Sequence, residues 1–367
     1  MGPWLRGLWL GTAIGAGLAL GPALADEEKV VNVYNWSDYI GDHTIADFEK
    51  ETGIKVRYDV FDANETLEAK LFAGKTGYDV VVPSSGFLGR QIKAGIFQKL
   101  DQSRLPHWSN LDPELLKRVA SLDPGNEHGV PFYWGTVGLG INVDKIKQRM
   151  PDAPVDSWDI VFKPENAKKF ADCGISMLDA PSDMIEVALH YLGKDPHSQK
   201  KADIDAAEKL LMSIRPYIKY FNSSRYIEDL ANGELCLVIG WGGDVFIAKG
   251  RAEDAKNGIK LDYHIPKEGT QIFFDMMAIP ADAPHPENAR KFIDFQLRAE
   301  VAANNTNTVK YPNAVPSSLP LIDADIRNNP SIYPPADVLA LTFPDKIAPP
   351  ALDRLRTRAW TRIKTGK

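Results

Sequence analysis

The chain has 367 residues, 43 of them basic and 49 acidic, for a formal net charge of −6, and 44% are hydrophobic. Mild acidity makes a poor partner for a phosphate backbone or an anionic membrane, so neither nucleic acid nor a lipid surface is expected as a ligand. The length exceeds one small core and points to two domains, contiguous or interleaved.

Residues 1–25 read as a secretory signal peptide. Arg6 is a positive start, Leu8 to Leu20 is apolar, Ala23-Leu24-Ala25 is a small-x-small cleavage signal, and Asp26 begins a charged run. The apolar core is too short to span a bilayer. No cysteine follows it to carry a lipid. The expected mature chain is Asp26 to Lys367, exported, soluble, and with a net charge of about −7 once Arg6 is gone.

Strand and helix then alternate. Val30 to Asn35 reads as a strand. Thr44, Ile45 and Phe48 open a helix that stops at Gly53. Ile54 to Phe61 is a second strand. Asn64 can cap a helix carrying Leu67 and Leu71, which ends at Gly74. Tyr78 to Val82 is a continuous apolar run of the parallel-sheet kind, followed by a helix with Leu88 and Ile92. This βαβαβα order predicts a parallel sheet with helices on both faces. Further strands are expected at Val137–Val143, Gly174–Leu178, Leu235–Ile239 and Phe273–Ile279. Helices are expected at Ile204–Ile214, at Ile227–Ala231, through Ala289, Phe292, Ile293 and Gln296, and in the tail from Pro349 with Leu352, Leu355 and Trp360. No repeat or flexible linker divides the chain.

Cys173 and Cys236 are the two cysteines. In an oxidising compartment they can form one bond between neighbouring strands, with two buried thiols as the alternative. Neither has a histidine at ligand spacing, so no metal site is expected.

Aromatic and carboxylate residues recur where strands end: Trp36-Ser37-Asp38-Tyr39, Ser84 after Pro83, Trp241-Gly242-Gly243-Asp244 and Phe273-Phe274-Asp275. In open α/β sheets ligands sit at the carboxyl ends of strands. A flexible dication needs carboxylates for its ammonium groups and aromatic walls for its methylenes. Each segment alone has a plainer reading. Trp36 or Trp241 could be core, Asp38 or Asp244 could cap a helix, and Phe273 and Phe274 alternate faces, so one is structural. The repetition favours a site.

Val33 to Ile40 (VYNWSDYI), Tyr78 to Ser84 (YDVVVPS), Ser224 to Gly233 (SRYIEDLANG), Ile265 to Gly269 (IPKEG), Phe273 to Asp275 and Arg356 to Thr361 (RTRAWT) resemble the periplasmic polyamine-binding proteins of bacterial ABC importers, the putrescine-binding type above all. The resemblance covers essentially the whole mature chain. It implies an α/β, two-lobed periplasmic binding-protein fold of type II that closes on a ligand in the interlobe cleft. The lobes would be 26–136 plus about 262–307, and 137–261 plus about 308–367. It implies a periplasmic, monomeric solute-binding protein that captures a polyamine, putrescine first, and delivers it to a membrane permease, without a cofactor. Trp36 and Trp241 would wall the methylenes, with Tyr39 and Phe273 completing the box. Asp244 and Asp275 would hold ammonium groups, Ser37, Asp38 and Ser84 would add polar contacts, and Tyr311 is similar to a late tyrosine near the site. One departure stands out. The family carries a glutamate just after a proline where this chain has Pro181-Ser182-Asp183, so Asp183 or Ser182 stands in for it. Gln271 is also unusually bulky and polar.

Catalysis finds little in the sequence. The histidines (43, 107, 128, 190, 197, 264 and 285) form no HExxH pair or close cluster, and no G-x-S-x-G is present. Ala73-Gly74-Lys75-Thr76 lacks the first P-loop glycine, having Ala69 there. An exported hydrolase is the enzyme alternative; among binding proteins the alternatives are one for a related diamine or longer polyamine and a sensor subunit for a membrane receptor.

Overall fold

The computed structural model describes residues 1–2 and 27–367, so the expected signal peptide lies outside the described residues. Ten strands form one mixed sheet: β1 (Val30–Trp36), β2 (Lys55–Phe61), β3 (Val80–Val81), β4 (Gly129–Asn142), β5 (Ile175–Met177), β6 (Ile218–Phe221), β7 (Leu237–Trp241), β8 (Leu261–His264), β9 (Gln271–Ala278) and β10 (Phe343–Pro344). The order is β2-β1-β3-β9-β4-β7-β5-β6, with β8 beside β4 and β10 beside β9. β1 is rich in Val and aromatic residues and buried along almost its whole length, as a strand covered on both faces must be. β2 is the edge, and its Lys55, Arg57 and Asp59 suit a strand that must not recruit another. Between them, the helix Thr44–Thr52 stops at Gly53, whose φ of 69° lets its N–H reach Glu49 O.

β4 builds the two lobes into one object. Its residues 129–136 pair with β9, while 137–142 pair with β7 and β8. A single 14-residue strand therefore belongs to both halves of the sheet. The parallel order predicted from βαβαβα holds for β2, β1 and β3. It fails at the centre, where β9 is antiparallel to both β3 and β4, because these crossing strands enter from the other lobe. Val137–Val143 was expected as a strand; the first half of β4 was not, and Tyr78–Val82 shortens to two residues.

The pairings also bear on where the chain crosses between the two halves of the sheet. β8 still pairs with the second half of β4, so the chain returns to the first lobe between His264 and Gln271 rather than near 262. Residues 312–314 bond to Trp134, Phe132 and Asp112 in the first lobe, so the segment after 308 does not leave it there. The last crossing follows β10, which pairs with Gln271 and Ile272 of β9. The closing helix Pro350–Thr365 packs on the second lobe, where Trp360 stacks edge-on to Phe221 and its Nε1 donates to Asp179 at 2.7 Å. The reason is physical: pairing to β4 holds the returning chain until its proline-rich stretch ends.

Cys173 and Cys236 form a disulfide with Cα atoms 5.6 Å apart. The 63-residue separation gives a stabilisation of about 4 kcal/mol on the chain-entropy model.

Candidate functional site

β1, β3 and β7 end on the same side of the sheet, and their last residues meet across the cleft. Trp36 closes β1, and its Nε1 donates to Val82 O at 2.8 Å, which fixes the ring. Trp241 closes β7 in the other lobe. The two indoles meet edge to face at 5.4 Å between centroids. The cavity between the lobes spans about 500 Å³ out to its mouth.

On β9, Phe273 and Asp275 point into this cavity, while Phe274 lines a different surface, as the alternation of a strand requires. Asp275 accepts from Tyr39 Oη and Ser84 Oγ, each at 2.6 Å. Ser84 is held in turn by Asn64, whose Nδ2 donates to its Oγ at 2.9 Å and whose Oδ1 accepts from its N–H at 3.0 Å. Asn64 is thus the first residue of its helix and makes no cap hydrogen bond, contrary to its expected capping role.

Asp244 sits in the first turn of the helix Gly242–Asp254 and is not a cap either. It accepts from Tyr311 Oη at 2.6 Å and Tyr226 Oη at 2.7 Å. Asp183, from the helix Pro181–Tyr191, accepts from Trp241 Nε1 at 3.1 Å. Asp183 faces the main cavity; Ser182 turns outward and donates to Glu65 at 3.2 Å.

Ten of the eleven expected residues line the cavity: Trp36, Ser37, Tyr39, Ser84, Asp183, Trp241, Asp244, Phe273, Asp275 and Tyr311. Asp38 does not. It has a left-handed backbone (φ 53°), is exposed, and pairs with Arg251 of the other lobe at 2.6 Å. Sequence reasoning missed Asp62, Asp345, Ser223, Ser224 and Ile227, which also line it.

Among the described residues no lysine or arginine lines this cavity, and its carboxyls are shifted accordingly. Burial pushes Asp275 up to about 6, against the pull of Ser84 and Tyr39. Burial pushes Asp244 up to about 7, with the two tyrosine hydroxyls acting against it. Burial, then the charges of Glu65 and Glu186, raise Asp183 to about 7. Burial and the neighbouring Glu186, Asp183 and Asp275 raise Asp345 well above the usual range. Tyr39, Tyr226 and Tyr311 are raised far above their ordinary value by burial first, so they remain donors. The arrangement suits a cation with charge at more than one point and an apolar stretch between.

Residues 43–334 match the family described as bacterial extracellular solute-binding protein. The chain belongs to that family. Among members of this solute-binding family, it is 53% identical over 366 residues to the putrescine-binding periplasmic protein PotF of Escherichia coli K12, covering 99% of this chain and 98% of that one. It is also 53% identical over 355 residues to the putrescine-binding periplasmic protein SpuD of Pseudomonas aeruginosa UCBPP-PA14, at 96% of each. A solved putative spermidine/putrescine ABC transporter protein of Listeria monocytogenes superposes with a TM-score of 0.84 at 29% identity, over 93% of this chain and all of that one. The fold of the solute-binding protein is thus the two-lobed α/β periplasmic type.

Proposed function

We propose that this solute-binding protein captures a polyamine in the periplasm, putrescine first, and delivers it to the membrane permease of an ABC importer. The observation that carries the reading is an interlobe cavity with carboxylates from both lobes, aromatic walls between them and, among the described residues, no lysine or arginine. Asp275 and Asp244 hold one ammonium each. Trp36, Trp241 and Phe273 cover the methylenes, where burial contributes roughly 0.8 kcal/mol per CH2. The names of the relatives from E. coli and P. aeruginosa point the same way.

The test is calorimetry on protein stripped of ligand by unfolding and refolding, titrated with putrescine, cadaverine, agmatine and 1,4-butanediol. One putrescine per chain, and no heat from the uncharged diol, is the expected result. Silence toward all the amines, or equal binding of the diol, would sink the reading.

A further inference from the structure

The three glycines around Trp241 are each crowded by a tyrosine. A Cβ on Gly240 would stand 2.8 Å from the Tyr226 ring, one on Gly242 3.1 Å from that of Tyr263, and one on Gly243 2.1 Å from that of Tyr311. Each distance is shorter than an ordinary carbon–carbon contact of about 3.5–4.0 Å. The segment Gly240-Trp241-Gly242-Gly243-Asp244 thus lacks side chains where three rings approach its backbone. Tyr263 turns its hydroxyl away, donating to Thr136 O at 2.8 Å. Tyr226 and Tyr311 turn theirs to Asp244, one to each carboxylate oxygen.

The two phenols differ in standing. Tyr311 lines the cavity, whereas Tyr226, the first residue of the helix Tyr226–Ala231, is 1% exposed and is not among its lining residues. Tyr226 can therefore act on a ligand only through what it holds. A phenol has one hydrogen to give. The Tyr226 Oη accepts from the Trp241 N–H at 3.1 Å, which leaves that hydrogen for Asp244 Oδ2 at 2.7 Å. A donor to a carboxylate favours its ionised form. Burial pushes Asp244 up to about 7, and the Tyr311 and Tyr226 hydroxyls work against it. Of the charged groups that act on Asp244, Asp38 raises it and Arg251 lowers it, and those two are paired with each other.

We propose that Tyr226 is a positioning residue for ligand capture: set between the Trp241 backbone and Asp244, its single hydrogen fixes the carboxylate that meets the ligand's ammonium. The inference deepens the reading of the cavity as an amine site and rests on it. It gives Gly240 a role as well, since any side chain there would push the ring off both partners.

The experiment is calorimetry with putrescine on the stripped parent and on Tyr226→Phe at about pH 6, 7 and 8.5, repeated in the Asp244→Asn background. Tyr226→Phe removes one oxygen and little bulk. Near pH 6 it should bind putrescine about tenfold more weakly than the parent, because the carboxyl has lost a donor that favours its ionised form. Near pH 8.5 Asp244 is ionised with or without the phenol, and the loss should shrink to less than about threefold. In the Asp244→Asn background the same change should add less than about twofold at any pH. Gly240→Ala keeps the hydroxyl but crowds the ring, and should show the same dependence on pH. A loss equal at all three pH values, or one that persists in full beside Asp244→Asn, would make Tyr226 a structural residue only and overturn the inference, as would an unchanged affinity. An Asp244→Asn protein that binds putrescine like the parent would also overturn it, since Tyr226 would have no carboxylate to act through. A parent silent toward every amine would overturn the reading of the cavity, and this inference with it.

Discussion

Asp275 and Asp244 each accept two hydroxyl hydrogen bonds, yet the two cages are assembled differently. Around Asp275, the donors Tyr39 and Ser84 come from the same lobe as the carboxylate. Around Asp244, Tyr226 comes from its own lobe, but Tyr311 belongs to the segment tied to the first half of β4. One end of the cavity is therefore finished before the lobes meet, and the other is completed by their meeting. A ligand that needs both ends favours the closed arrangement by its extra affinity for it. On the proposed reading of the cavity, Asp275 would serve capture and Asp244 closure.

The largest effect should come from the preformed end. Asp275→Asn strands an ammonium beside a neutral amide, and putrescine should bind about 2–5 kcal/mol more weakly, for every amine alike. Calorimetry within threefold of the parent, on a variant with unchanged unfolding, would remove Asp275 from the site. Trp241→Ala should follow at about 2–4 kcal/mol, with diamines losing more than a short monoamine, because the indole both covers methylenes and donates to Asp183. A uniform loss over diamines and monoamines would show that it acts only through the fold.

Acid should blunt both ends. Asp275 stands near 6 and Asp183 and Asp244 near 7 without ligand, above their unfolded values. The empty folded protein thus holds more protons than the unfolded chain between about pH 4 and 7, and its stability falls as pH rises through that window. An ammonium favours the ionised carboxylates, so binding releases protons and the gain in Tm from putrescine should grow from pH 5 to 7.5. A pH-independent gain would mean that these carboxyls do not meet the ligand.

Smaller effects belong to closure. Tyr311→Phe removes two bonds that span the lobes, one to the Asp244 carboxylate and one from the Asp244 N–H, and should weaken putrescine by about 1–3 kcal/mol. Small-angle scattering of the variant should still show compaction at saturating ligand; a variant that stays open would make this hydroxyl the closing device itself. Arg251→Ala breaks the exposed pair with Asp38 and should change affinity by about 0.2–1 kcal/mol, less at high salt. A larger, salt-independent loss would return Asp38 to the ligand's surroundings.

Much of this cavity was legible because strands announce where they end. Trp36, Ser84 and Trp241 follow apolar runs, and Asp275 shares a face with Phe273. Asp345 was not legible. It follows a two-residue strand with a proline, which carries no periodicity, and its partner Gln271 looked only bulky. Asp62, Ser223 and Ser224 lie in connections between elements, where nothing in the local pattern sets direction. The backbone pairing of residues 312–314 to β4 was not legible either, because no side-chain pattern reports it. Asp38 was drawn in by neighbours that do line the cavity, but its left-handed backbone turns it away.

β9 lies between β3 and β4 in space, yet it follows β3 by about 190 residues along the chain. A ribosome adding about 5–20 residues per second takes roughly 10–40 s to cross that gap. During that interval the first lobe has an open seam down its middle, with one edge of β3 and the first half of β4 unpaired. The second lobe has no such debt: β5, β6, β7 and β8 emerge within one stretch and join a strand already made. Birth order therefore crosses position: the lobe that begins the chain waits for β9, and the second waits longer still for its closing helix Pro350–Thr365. A nascent chain held in this way stays unfinished until its last quarter appears.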